Sequence, residues 1–366
     1  MRALRKGLPQ GISENTRMLH FLAALPLLMQ PALAPQQPLA ESVQPSPWQT
    51  LATLPSTWIR DISFSSAHVG YAVGESGQVF KTEDGAKSWT PVLNAYYPFY
   101  FTGVHALNES DVVITGFTAS PTDQRALIRW SHDGGQTWSD NLTINPTYNP
   151  TSRIHFWDSN TGVAMSFAEP NYAFRTTTGG LALTDWSRAE VDPNGGWFGA
   201  QFSALPNGHM RISGITFCES LDYAATFNCR PSIDAGSDFA TFFLDDERGW
   251  VGGGWISVPM MGYIHRTLDG GKTWSDRVLE GPWMIREILF VNNHDGWAAG
   301  GAGNVGGVYV SHDGGENWAV ELNTQVGLTS CATAEYHLYC AGFDDNGTSH
   351  FYARDYDKIR DGKFDP

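Results

Sequence analysis

Four short segments of the chain are near-copies of one another: Thr82-Glu-Asp-Gly-Ala-Lys-Ser-Trp89, Ser131-His-Asp-Gly-Gly-Gln-Thr-Trp138, Thr267-Leu-Asp-Gly-Gly-Lys-Thr-Trp274 and Ser311-His-Asp-Gly-Gly-Glu-Asn-Trp318. An internal repeat constrains architecture before any single residue does. Each copy reads as a hairpin turn. Asp84, Asp133, Asp269 and Asp313 fold back onto turn N–H groups, and glycine takes the positions with φ > 0. Trp89, Trp138, Trp274 and Trp318 close the turns with an apolar plug. These eight residues are read as structural.

A second repeat lies upstream of each turn. The window from Asp61 to Gly74 recurs at the same length, without gaps, from Gly103, Arg153, Gln201, Ala240, Glu287 and Thr329. Six of the seven windows end in Gly, and each reads as strand, polar turn, strand. Seven inner hairpins, starting 39 to 50 residues apart, predict an all-β, seven-bladed propeller of four-stranded antiparallel blades. The repeated turn then joins the third and fourth strands of a blade. Ser220-Leu-Asp222 through Phe227 reads as a degraded copy in blade 4, and Thr176 through Trp186 as a copy with an insertion in blade 3. Trp48-Gln-Thr-Leu51 has the look of a fourth strand without a blade before it, and Ser349-His-Phe-Tyr-Ala353 ends the series. The N-terminal strand is therefore expected to complete the last blade and close the ring, leaving only short sheet edges.

Composition agrees: 39 Gly, 20 Pro and 14 Trp against 17% charged residues, and no long stretch has the 3.6-residue period of an amphipathic helix. Residues 1–34 read as a cleaved signal peptide, with a basic start, an apolar run from Leu19 to Met29 and an Ala32-Leu-Ala34 cleavage site. Residues 35–47 read as a Pro/Gln-rich spacer and 48–366 as the propeller. Export to the periplasm or the extracellular space is expected, or to the thylakoid lumen in a photosynthetic organism. No transmembrane segment is expected in the mature domain. A formal charge of −15 argues against a nucleic-acid partner. Cys218 and Cys229, and Cys331 and Cys340, lack metal-ligand spacing. Two local disulfides, each closing a hairpin, are the simplest of the three pairings. No metal or cofactor motif appears, and none is expected; Asp355, Asp357 and Asp361 read as a solvated tail rather than a Ca²⁺ loop.

Function is expected in the loops that lead from one blade's outer strand to the next blade's inner strand, which crowd one mouth of the channel. They carry Trp58, Tyr96, Tyr97, Phe99, Tyr100, Tyr148, Trp197, Phe198 and Trp283, side chains that suit a protein partner or sugar rings, or that pack between blades. Arg60, Asp61, Arg153, Arg286 and Glu287 gather at the same mouth. Three arginines from different blades offer a carboxylate clamp; Arg60–Asp61 and Arg286–Glu287 neutralising one another, or pairing across the channel, is the simpler reading.

The turns resemble the Asp-box, or bacterial neuraminidase repeat. With the Gly-Tyr/Trp-x-x-Gly hairpins at Gly70–Gly74 and Gly296–Gly300, the chain from about Trp48 to Ala353 resembles the photosystem II stability/assembly factor-like family of seven-bladed propellers. That resemblance implies a non-enzymatic scaffold for a protein partner; the chain itself is expected to be a monomer. The sialidases and other Asp-box glycosidases are similar in the turns and imply the alternative, a glycoside hydrolase or lectin. Their Phe/Tyr-Arg-Ile-Pro segment has no match in Trp58-Ile-Arg-Asp or Ser152-Arg-Ile-His, and catalytic residues are not assignable here.

Overall fold

A computed structural model describes residues 47–356, apart from 96–97, 119–124, 146–150, 167–170, 193–197, 234–237 and 256–260. The leader and nearly all of the spacer lie outside the described residues. The rest forms seven four-stranded antiparallel sheets. Six are built from consecutive strands, blades 1 to 6 spanning 59–94, 99–145, 151–190, 198–231, 238–281 and 285–324. Blade 7 takes its first three strands from 327–355 and its outermost strand from Gln49–Leu54, which pairs with Ser349–Asp355. The N-terminal strand closes the ring as the sequence predicts.

The glycine that ends most windows has a specific cause. In the hairpin of blade 1, Ile59 pairs with Gly74 and Asp61 with Val73, so Arg60 is an extra residue, a β-bulge. Thr102, Ser152, Phe239, Arg286 and Thr329 are extra in the same way in blades 2, 3, 5, 6 and 7. A Cβ on Gly74 would lie 2.7 Å from the carbonyl oxygens of Thr57 and Trp58, and one on Gly300 would run into the carbonyl of Met284. Glycine lets the second strand pass beneath the bulge. The bulge turns one residue toward the channel mouth and the next into the channel. One window is corrected by this register. In blade 7 the residue after the bulge is Ser330, not Thr329, because that hairpin is one residue shorter than the ungapped alignment assumed.

Each blade presents one face to each neighbour, so apolar residues bury between blades. Seven clusters result, one per seam. Tyr71, Val73 and Val79 of blade 1 meet Phe101 and Ile114 of blade 2, and Phe64 of blade 1 stacks on Tyr339 of blade 7 at 3.9 Å. Among the described residues, the cluster between blades 4 and 5 consists of Leu205, Phe217, Phe243 and Val251.

The repeated turns carry one hydrogen-bond pattern. In blade 2, the Ser131 hydroxyl donates to Asp133 at 2.9 Å and accepts the Gly135 N–H at 2.8 Å. Asp133 also accepts the Thr137 N–H at 2.8 Å and its hydroxyl at 2.5 Å. The Trp138 indole donates to the Gly135 carbonyl at 3.1 Å. The pattern persists in blade 4, although its sequence reads as degraded. Ser220, Asp222 and Thr226 make the same bonds, with Tyr223 and Ala224 at φ 58 and 62 where the other turns mostly place glycine. The Cys218–Cys229 disulfide ties the two strands that this turn joins, and Cys331–Cys340 ties the inner hairpin of blade 7. Cations of one blade grip the next blade's turn. Arg175 donates to the Tyr223 carbonyl at 2.7 Å, and Arg230 to those of Gly270 and Gly271 at 3.1 and 3.2 Å.

Candidate functional site

The inner strand of each blade runs from the mouth face to the Asp-box face, so the residue after each bulge enters the channel at one level. Three of these are Asp61, Arg153 and Glu287, and they form a single network across the channel. Arg153 of blade 3 pairs with Asp61 of blade 1, and with Glu287 of blade 6 at 3.3 Å. Asp61 also accepts the Ile62 and Val104 N–H groups and the Ser330 hydroxyl, each at 2.9 Å. Glu287 accepts from the Gln201 amide and, at 3.4 Å, from the Cys331 N–H. Blade 2 contributes Gly103 at this level. A Cβ there would lie 2.9 Å from the Arg153 Cα, so its absence lets blade 3 approach. Residues from six blades thus meet on one buried ion triad.

Burial governs its charge. It pushes the Asp61 carboxyl up, against the pull of Arg153 and the donors from Val104 and Ser330. It pushes Glu287 up to about 7, with Arg153 and Gln201 opposing. Toward the Asp-box face the channel opens into a cavity of about 220 Å³ lined in part by Ser63, His105 and His155. The two imidazoles meet in a T-shaped contact, centroids 4.7 Å apart, and burial lowers them to about 4 and about 3, so both are neutral at pH 7. Asp61 and Glu287 are already engaged by Arg153 and their other donors. That arrangement ties blades together; it does not present a free acid to a glycosidic oxygen.

The bulge residues Arg60 and Arg286 behave differently from Arg153. Arg60 pairs with Glu75, its side chain 41% exposed, and lies 5.1 Å over the Phe343 ring. Arg286 donates to the Gly301 carbonyl at 3.1 Å and lies 6.0 Å from the centre of the Phe239 ring. Burial, and then Arg60 nearby, lower its pKa. Among the described residues no carboxylate pairs with Arg286. The expected three-arginine group is therefore divided: one arginine binds the channel together, and two stand at its mouth.

The aromatic candidates divide as well. Trp283 is buried between blades 5 and 6, 4.8 Å from Tyr309. Trp58, at φ 41, lies against Gly347 in blade 7. Phe99 packs beside the core of the blade 1–2 seam, and Tyr100 stacks on Phe117 at 5.5 Å. Tyr96, Tyr97, Tyr148, Trp197, Asp357 and Asp361, and the side chain of Phe198, lie outside the described residues. Sequence reasoning missed Gln201, Ser330, Phe239 and Phe343. A signal for Gln201 was present: it opens the fourth window, in the column that also holds Asp61, Arg153 and Glu287.

Residues 40–147 match the family model described as Photosynthesis system II assembly factor YCF48. The chain resembles the photosystem II assembly-factor propellers. A solved structure described as YCF48 bound to D1 peptide superposes with a TM-score of 0.63 at 18% identity, covering 85% of this chain and 97% of that one. YCF48 from Cyanidioschyzon merolae gives 0.62 at 17% identity, covering 84% and 98%. The WD40 propeller domain of Doa1 gives 0.60 at 12%, covering 86% and 99%. At these identities the likeness is one of fold. No curated protein matches the sequence.

Proposed function

We propose that the protein is an exported, non-enzymatic scaffold of assembly-factor type, which holds an extended segment of a partner protein at the channel mouth. The observation that carries this reading is Arg286, a desolvated guanidinium without a carboxylate partner among the described residues and with a second arginine close by. A guanidinium in that state gains most from a carboxylate brought by a ligand. Each guanidinium also lies near an aromatic ring, Arg60 at 5.1 Å from Phe343 and Arg286 at 6.0 Å from Phe239, which restricts it before a ligand arrives. The family match and the peptide-bound YCF48 structure support a protein ligand over a glycan. Two disulfides suit an oxidising compartment. The test is crosslinking and mass spectrometry in an extract of the source organism, comparing wild type with the Arg60→Gln/Arg286→Gln variant. Crosslinks from the mouth face to one protein, lost in the variant, are expected. Crosslinks that survive the double change, or that map to the Asp-box face, would refute the mouth as the binding surface. Turnover of a glycan by the purified chain would refute the scaffold.

A further inference from the structure

The triad is unbalanced in charge and in its hydrogen bonds. It sets two carboxylates against one guanidinium, and Arg153 is the only guanidinium or ammonium among the described residues lining the cavity of about 220 Å³. Arg153, the Gln201 amide and the Cys331 N–H all donate to Oε2 of Glu287. Among the described residues no donor reaches its Oε1. Yet Glu287 lines the cavity, and its side chain is 12% exposed. A buried carboxylate oxygen without a donor is costly while it is charged. Near neutral pH a proton offsets that cost in part. Burial raises Glu287 to about 7 against the pull of Arg153 and Gln201, and the Asp61 charge adds to the rise.

The walls of the cavity admit a cation. His105 and His155 are neutral at pH 7, so neither repels positive charge. His105 hydrogen-bonds the Phe156 backbone. His155 touches the rings of His105 and Trp157 and makes no hydrogen bond among the described residues. A neutral imidazole offers one nitrogen as an acceptor. Blades 1 and 4 present Ser63 and Gln201, which are also uncharged. One open carboxylate oxygen without a second free acid opposite it binds positive charge rather than cleaving a glycosidic bond.

We propose that this cavity binds a primary ammonium group, which pairs with Oε1 of Glu287 beside the imidazoles of His105 and His155. The ammonium takes the place of the proton, and two carboxylates then face two cations. A guanidinium is matched by both oxygens of a carboxylate, and here only one is open. Among the described residues no three metal-ligating side chains gather, which disfavours a metal ion. Drug-sized ligands occupy roughly 300–1,000 Å³, so the cavity suits a single side chain or an alkylamine of similar size. The chain's formal charge of −15 draws cations toward it. Two sources share this chemistry, a free alkylamine and a lysine side chain of another protein. The site lies on the far side of the triad from Arg60 and Arg286, and it does not rest on the carboxylate reading of the mouth.

Saturation-transfer NMR on the full chain, at about 0.15 M salt to screen exposed charges, tests this with n-butylamine, n-butanol and acetyl-lysine amide. Butylamine is expected to bind and butanol not. Glu287 is about one-tenth ionised at pH 6 and about nine-tenths at pH 8, while the amine stays protonated. Affinity for butylamine should therefore rise about tenfold between the two. In Glu287→Gln that rise is expected to vanish, with affinity at pH 8 lowered at least about tenfold. If acetyl-lysine amide binds as tightly as butylamine, the site takes a lysine side chain; if it binds more weakly, the site takes a free alkylamine. Equal binding of butanol, a wild-type affinity for butylamine that is the same at pH 6 and pH 8, or no binding at all would overturn the site, whether or not the variant folds. So would a folded Glu287→Gln that binds butylamine as wild type does.

Discussion

The two ends of each blade follow different rules. At the Asp-box end, blades 1, 2, 4, 5 and 6 repeat one set of hydrogen bonds, even where blade 4 has lost the glycines and the tryptophan. At the mouth end, six blades share a bulge, yet its residue is arginine twice, phenylalanine once and a hydroxyl residue three times. The hydroxyls are structural: Thr102 donates to the Thr151 carbonyl at 2.7 Å and Thr329 to that of Ile59 at 3.0 Å, each binding the next blade. The arginines make no such link. Where the backbone supplies the same unmet groups in every blade, the side chains repeat. Where a position has been released from hydrogen-bonding the next blade's backbone, they diverge, and those are the positions to expect a ligand.

The largest expected effect would show that some mouth-level residues are structural after all. Arg153→Met leaves Asp61 and Glu287 buried without their countercharge and is expected to cost about 3–5 kcal/mol at pH 8. Denaturant unfolding should show a smaller loss at pH 5. In the wild type, Glu287 is raised from 4.5 to about 7, so the folded state binds more protons between those values. Its contribution therefore falls as pH rises from 4.5 to 7, and Glu287→Gln should flatten that slope. An equal cost at both pH values would show that the triad is not what the substitution breaks.

Gly300→Ala is next, at about 3 kcal/mol by thermal melting, because its Cβ meets a main-chain carbonyl that cannot move without unmaking the bulge. The opposite exchange at the natural exception, Ser166→Gly, is expected to be mild. At the other face, Asp313→Ala removes bonds to Ser311, Glu316 and Asn317, for a loss of about 1 kcal/mol on so exposed a turn. Hydrogen bonds to Thr137 and Thr273 hold Asp133 and Asp269 at about 2. Their contribution is full above about pH 4 and lost as pH falls toward 2, so acid unfolding monitored by tryptophan fluorescence should fall in that window. The smallest effect is a gain: Ala224→Gly relieves a left-handed alanine and should add about 0.5–1 kcal/mol. If it destabilises, the methyl group packed in the blade 3–4 seam outweighs the strain.

The sequence made visible what repeats at fixed spacing. Asp133 and Thr137 are four residues apart and answer to local geometry, so the turns could be read directly, as could the seven hairpins and the ring closure. The bulge was present only as its shadow, the terminal glycine, since its cause lies on the opposite strand. The triad could be read only in outline: its three charged residues and their pairing across the channel were legible, but which acid meets which arginine was not, because Asp61 and Arg153 are neighbours only once the ring has closed. The arginine clamp was over-read for the same reason: three arginines at one level look equivalent until the acids facing each are known.

Closure of the ring by the first strand also sets an order of events. Gln49–Leu54 is synthesised before any blade, yet its partner, Ser349–Asp355, is made only after blades 1 to 6. Six blades can pair within themselves as they emerge, because their contacts are local. The seventh must recruit a strand that has waited through the synthesis of six blades, and that long-range loop closes slowly. Until then the outermost strand of a nearly finished ring is missing and an edge of blade 7 is bare, open to a strand from another molecule. The slowest step of folding and the greatest exposure to misassembly thus fall at the same seam.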